Sequence, residues 1–277
     1  MSAHDCGELM NSRYLQSRRV VLGGGGHALR VVPARLRIEG TTITEVLEIE
    51  NEESCTLPAE AVLDDYGDKL ITPAFVNAHT HLALGFLRGY DMAAACRGNM
   101  VEEFFFEVET RLHPEDVRAF ARIGAYDSLL SGVGLVWDHY YRGEMVAEAL
   151  RDVGLCGVVA PTLQDLAGPG RTDWEEQLEA TSRLASSEAW AQAGVYAALG
   201  PHATDTVSED LWMRAVELAE EFELPVHAHL AQSPEEFGRS MERHGCSPTA
   251  WLARLGVLDR APGAAFAHGS YASADDL

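Results

Sequence analysis

Ile71-Thr72-Pro73-Ala74-Phe75-Val76-Asn77-Ala78-His79-Thr80-His81-Leu82 decides how the rest of the chain is read. An apolar run, Ile71–Ala78, ends in two histidines one residue apart. Side chains alternate along a strand, so His79 and His81 face the same way. The same ending recurs downstream in Val226-His227-Ala228-His229 and in Ala267-His268-Gly269. A bare His-x-His is a weak signal in a chain with 11 histidines. Three of these features at the ends of short apolar runs are a stronger one, because neutral imidazoles that converge suit Zn²⁺ or Fe²⁺.

Working outward, the chain after Ile71 alternates strand and helix patterns. Strands are predicted at Ile71–Ala78, Gly134–Asp138, Leu155–Ala160, Val195–Leu199, Pro225–His229 and Ala264–His268. Helices are predicted at Pro114–Leu130, Glu144–Asp152, Trp174–Ser186, Ser208–Glu221 and Pro234–His244. Ser208 is a candidate N-cap, with Glu209 and Asp210 in the first turn. Such alternation means parallel strands with right-handed crossovers, either a doubly wound sheet or a (β/α) barrel. In a barrel the C-terminal strand ends form the mouth where sites assemble.

Before Leu70 the signals are β. Runs at 19–22, 30–32 and 34–38 are punctuated by Gly23–Gly26 and Glu39-Gly40, as half-buried antiparallel strands require. The four glycines lack the Lys-Ser/Thr of a phosphate loop, and a hairpin turn is expected there. The predicted division is a β segment at 1–70 and a strand–helix unit at 71–277.

Composition narrows the classes. The net charge is −22, with one lysine (Lys69) against 20 arginines, so no basic stripe can neutralise phosphates or an anionic membrane surface. Neither nucleic acid nor membrane is expected as a partner. Ten acids and no Lys or Arg lie between Glu39 and Asp68 and read as a solvated face. Five scattered cysteines without C-x-x-C are expected to be free thiols. The polar N-terminus is not a signal peptide, and the reading is cytoplasmic.

The stretch 71–82 resembles the first-strand signature of the amidohydrolase superfamily. The similarity is to the branch of cytosine, guanine and S-adenosylhomocysteine deaminases and triazine hydrolases. Leu87-Arg88-Gly89, Glu107-Val108-Glu109, the run 132–138, Pro201-His202-Ala203 and His229-Leu230-Ala231-Gln232 follow in that branch's order. The resemblance implies a (β/α)8 TIM-barrel-type fold, of which about six βα units are present, after a small N-terminal β-sandwich segment. It implies one divalent metal ion, zinc before iron, held by His79, His81 and His229. His268 would orient the attacking water, and His202 and Glu109 would contact the substrate. The implied activity is metal-dependent hydrolysis of non-peptide C–N bonds in a small cyclic or heteroaromatic compound: deamination, or amide or C–X cleavage. A homo-oligomer is expected for the full-length product.

His227 is expected to pack or to support the ligands. His139 is expected either at the mouth or as a surface histidine, and Trp137, Tyr140 and Tyr141 as core or rim aromatics, with pocket lining as the alternative. The branch departs from this chain at two places. Its deaminases carry a Glu where Gln232 stands; an amide can hydrogen-bond at that catalytic position but cannot transfer a proton at neutral pH. Glu235 and Glu236 are expected to start the next helix and point outward. The branch also takes an Asp from an eighth strand, and the chain ends nine residues after His268. The expectation is an N-terminal portion of a longer gene product, with a catalytically incomplete fragment or pseudoenzyme as the alternative.

Overall fold

The computed structural model describes residues 13–24, 26–50, 57–58, 60–96 and 98–276; His4, Cys6 and Cys55 lie outside them. Contacts group the chain into two compact units, Met1–Pro73 and Ala74–Leu277. In the first, β1 (Arg13–Gly24) and β2 (His27–Glu39) form an antiparallel hairpin that turns between Gly24 and His27, within the glycine run. Gly23 is held at φ +114°, and a Cβ there would stand 2.5 Å from the Ala28 carbonyl oxygen, so the turn needs glycine. β3 (Thr42–Glu48) adds antiparallel to β2, while β4 (Val62–Asp65) and β5 (Leu70–Ile71) add parallel to β1. Among the described residues this is one five-stranded sheet. Val20, Ala34 and Leu36 form its small core; Leu29 and Val31, on the alternate phase of β2, are exposed.

The strand predicted at Ile71–Ala78 is two strands. Leu70–Ile71 pairs with β1, and β6 (Phe75–Thr80) starts afresh in the second unit. Pro73 lies between them, with no N–H to donate and a locked φ, so one ladder cannot run through it.

In the second unit β6 is followed by β7 (Val133–Tyr140), β8 (Cys156–Leu163), β9 (Val195–Ala197), β10 (Gly200–Pro201), β11 (Val226–Leu230) and β12 (Ala264–His268). All pairs are parallel: β6, β7 and β8 pair in chain order, β9 and β10 both pair with β8, β11 pairs with β12, and an isolated bridge joins Leu199 to Val226. The predicted fourth strand splits at Leu199, whose backbone turns to the next strand: its N–H donates to Pro225 and its carbonyl accepts from His227. Helices lie between the strands: α1 (Pro114–Leu130), α2 (Gly143–Val153), α3 (Trp174–Ala185), α4 (Glu209–Phe222) and α5 (Pro234–His244). Both ends of α1 and both ends of α5 fall where the sequence predicts them, and the Ser208 and Ser233 side chains cap α4 and α5 by accepting from the third residue on.

Helix faces bury against the outer faces of the strands. Val117, Ala121 and Ala125 of α1 and Ala147 and Leu150 of α2 join Val136 and Val159; Trp212 and Val216 of α4 join Leu199, Val226 and Ala228. The inner face holds a separate layer of Trp137, Val158, Ala160 and Ala198. Two of those four are alanines, which leaves room above them for larger side chains at the strand ends. This is a mixed α/β, TIM-barrel-type arrangement. Among the described residues no helix is long and apolar enough to cross a membrane.

Candidate metal-binding site

The strand ends enclose a cavity of about 570 Å³. Its lining includes His79 from β6, His81 just after it, His139 from β7, His202 after β10, His229 from β11 and His268 from β12. The structure therefore gathers every histidine that the sequence assigns a role. It also adds one, His139.

Period two explains the gathering. On β11 all five residues are buried, with His227 and His229 on one phase; on β7 the same phase carries Trp137 and His139. After β6 the chain turns sharply, and Leu82 and Ala83 are buried in the turn Leu82–Leu87. Two contacts fix that turn. The Leu82 N–H donates to Asp138 Oδ2 at 2.6 Å. Gly124 of α1 abuts it so closely that a Cβ would stand 2.4 Å from the Leu82 carbonyl oxygen.

Hydrogen bonds set the tautomers. His229 Nδ1 lies 2.9 Å from the His202 carbonyl oxygen. A carbonyl only accepts, so Nδ1 carries the proton and Nε2 a lone pair. His81 is fixed the same way by the His139 carbonyl. The two Nε2 atoms then face each other at 3.3 Å, each with a lone pair and no proton to share. Two ligands about 2.0–2.1 Å from a tetrahedral Zn²⁺ stand about 3.3 Å apart, so this donor pair fits a divalent cation. His79 Nδ1 lies 2.9 Å from His227 Nε2, which supports the ring from behind as expected for His227. Two overlapping groups, His79/His229/His268 and His81/His139/His229, have their ligand atoms within 4.8 Å of one another and could hold an ion.

Electrostatics keep these rings neutral. Burial, then repulsion from His81 and its neighbours, pushes His79 down to about 3. Burial chiefly pushes His202 down to about 3 and His227 down to about 4. It also lowers His81, His139, His229 and His268. At pH 7 all seven present the unprotonated form that metals bind. Carboxyls move the other way. Burial raises Glu109, on the cavity wall beside Tyr140, to about 8. It raises the fully buried Asp138 to about 7 against the opposing Leu82 N–H.

Gln232 lines the cavity. The expectation that Glu236 points outward is wrong. Glu236 is fully buried; its Oε2 accepts from the Gln232 N–H at 2.7 Å and its Oε1 from the Thr204 hydroxyl at 2.6 Å. It braces a turn in which Ala231 has φ +49°, a left-handed conformation unfavourable for alanine. Glu235 is exposed, as expected, and also lines the cavity. The buried face of α5 is Glu236 and Ser240, polar at i, i+4, so the usual apolar stripe was not there to reveal it.

His139 is the functional candidate that sequence reasoning left open. It is 1% exposed, not at the surface. The signal was the strand phase it shares with Trp137, which becomes decisive once Ala160 and Ala198 are known to leave the space open. Tyr140 and Tyr141 line the cavity rather than only packing. Cys96, Cys156 and Cys246 are free thiols, as expected.

The amidohydrolase family profile matches residues 70–277. The chain is 32% identical over 254 residues to the 5-methylthioadenosine/S-adenosylhomocysteine deaminase of Thermococcus kodakarensis, covering 91% of this chain and 57% of that one. In fold it is similar to the guanine deaminase of C. acetobutylicum solved with bound guanine (TM-score 0.78, 15% identity, 96% of this chain and 64% of that one). It is also similar to the atrazine chlorohydrolase of Arthrobacter aurescens solved with zinc (TM-score 0.72, 20% identity, 93% and 60%). The chain spans about half the length of the curated relatives it matches. With the profile covering the whole strand–helix unit, the chain belongs to the amidohydrolase family.

Proposed function

We propose that the whole protein is a metal-dependent hydrolase that cleaves a C–N bond in a small heteroaromatic compound. The observation that carries this is the pair of unprotonated Nε2 atoms of His81 and His229, 3.3 Å apart at a cavity wall. His79, His81 and His229 would hold one divalent ion, zinc before iron. A bound ion of that class lowers the pKa of water towards ~7 and supplies hydroxide at neutral pH. The five-stranded sheet would be one layer of a β-sandwich, and β6 to β12 the six βα units that carry these ligands.

The chain's own groups have separate tasks in this reading. His268 stacks on His229 with ring centroids 5.3 Å apart and stands more open to the cavity, placed to accept a hydrogen bond from a water there. His202, oriented through Nδ1 by the Thr206 hydroxyl at 2.9 Å, turns its other nitrogen to a substrate ring. Glu109, protonated below about 8, can donate a hydrogen bond to a substrate hydroxyl or ring nitrogen. Phe105 and Phe106 add apolar cover over a planar ring.

Relatives named as deaminases of methylthioadenosine and deoxyadenosine support an aminopurine nucleoside as the substrate class. Gln232 favours a second outcome at the same site. Without a titratable group there, cleavage of a C–X bond or an amide, which does not need a proton delivered to a ring nitrogen, competes with deamination. The test is zinc-loaded protein offered adenosine-type nucleosides, guanine and chloro- and aminotriazines, with ammonia and chloride both measured. Release of either that stops with a chelator and returns with zinc supports the reading. Protein that binds no stoichiometric zinc or iron sinks it.

A further inference from the structure

We propose that His139 is a metal ligand of this site, its Nε2 closing a set with the Nε2 atoms of His81 and His229. This rests on the reading that His81 and His229 hold a divalent ion, and it adds a ligand from β7, a strand which that reading leaves unused.

Three observations point the same way. His139 is buried, on the inward phase of β7 directly after Trp137, with its ring centroid 4.8 Å from that of His229. Its Nδ1 is engaged by the Thr162 hydroxyl at 3.0 Å. Its Nε2 is buried and, among the described residues, has no hydrogen-bond partner. A nitrogen so placed needs something to bind. The ligand atoms of His81, His139 and His229 lie within 4.8 Å of one another, and the rings of His81 and His229 hold their protons on Nδ1, against backbone carbonyls. With Nδ1–H donated to the Thr162 hydroxyl, His139 Nε2 carries a lone pair as well, and a cation reconciles three lone pairs so placed.

Thr162 is then a positioning residue. It is buried, and its hydroxyl oxygen can accept from Nδ1–H, leaving the lone pair on Nε2. A methyl in place of that hydroxyl removes the preference without emptying the space. A serine keeps it.

The purified 277-residue chain is stripped of metal and titrated with Co²⁺ and Zn²⁺ against a chromophoric chelator, with the visible Co²⁺ spectrum recorded. Wild type, His81→Ala, His139→Gln, Thr162→Val and Thr162→Ser are compared. The expected result is a loss of affinity of at least about 10-fold in His139→Gln, with a changed Co²⁺ band. Thr162→Val should lose about 10-fold and Thr162→Ser should bind like wild type, within the 10–100-fold range for groups that orient ligands. If His81→Ala loses the metal while His139→Gln and Thr162→Val keep wild-type affinity and spectrum, His139 is not a ligand, and the proposed hydrolase survives. If the wild-type chain takes up neither metal, both fall. Circular dichroism of the metal-free proteins monitors folding. Should His139→Gln unfold, the Thr162→Val and Thr162→Ser pair decides: equal affinity in the two overturns the proposal.

Discussion

The sheet of the first unit and the strand-end cluster of the second use polar groups in opposite ways. In the sheet, charges stand in water: Arg13 pairs with Asp64, Arg18 with Asp68 and Arg30 with Glu48, with most of these side chains between a third and two thirds exposed. Solvent screens such pairs and their contribution is small. In the cluster, imidazoles and carboxyls are buried, and nearly every one has an assigned partner: His81 and His229 a backbone carbonyl, Glu236 an N–H and a hydroxyl, Asp138 the Leu82 N–H. Burial without a partner is costly, so the atoms left over, such as His139 Nε2, are where a ligand has most to gain. The exposed charges of the first unit's sheet should be replaceable, and the buried polar groups of the strand-end cluster should not.

The largest effect expected is on catalysis. If ring deamination is the native reaction, Gln232→Glu restores a proton carrier at the cavity and should raise ammonia release from an aminopurine by about 10²-fold or more. Unchanged or lower release, measured with equal zinc content, assigns the site to a reaction that needs only the amide.

Next comes stability. Glu236→Ala leaves the Gln232 N–H and the Thr204 hydroxyl buried without their acceptor and should cost about 2–4 kcal/mol in urea unfolding. Glu236→Gln, which keeps one oxygen, should cost less. Equal losses in the two would mean that packing, not the paired acceptors, holds the turn.

A comparable effect has a sign set by pH. Asp138 titrates near 7 in the folded protein and near 3.8 unfolded, so the folded state holds the extra proton between those values. Its contribution is fully present below about 4 and is lost as pH rises through 7. Asp138→Asn does not titrate, so it should gain on wild type from about pH 4 to 7 and keep a constant lead above. A difference that is flat across that range would show that the carboxyl does not titrate there. The smallest effect belongs to the first unit: Arg30→Ala, breaking the exposed pair with Glu48, should leave the unfolding midpoint unchanged. A clear drop would erase the contrast between the two regions.

Much of this molecule could be read before it was folded. Helix α1 runs from Pro114 to Leu130 as the pattern predicts, because Pro at N1 and an unbroken 3.6-residue periodicity are local signals. The histidine-ended strands were legible for the same reason: alternation is a property of the strand itself. Where reading failed, the deciding force was not local. Pro73 divides a run that looks continuous. Glu236 turns inward because Thr204, 32 residues away, and the Gln232 backbone offer it donors. Nothing in Pro234–His244 announces that.

The sequence by itself determined that His79, His81, His229 and His268 stand at the ends of strands in a strand–helix alternation, since period and order follow from local geometry. Only the tertiary structure decided which nitrogen of each ring faces the cavity. That choice rests on the carbonyls of His139 and His202, supplied by other strands. It also decided that His139 joins them, because the space in front of it is made by Ala160 and Ala198 of neighbouring strands. A ring's proton and a cavity's shape are set by what packs against them, and that is known only once the strands have closed around the site.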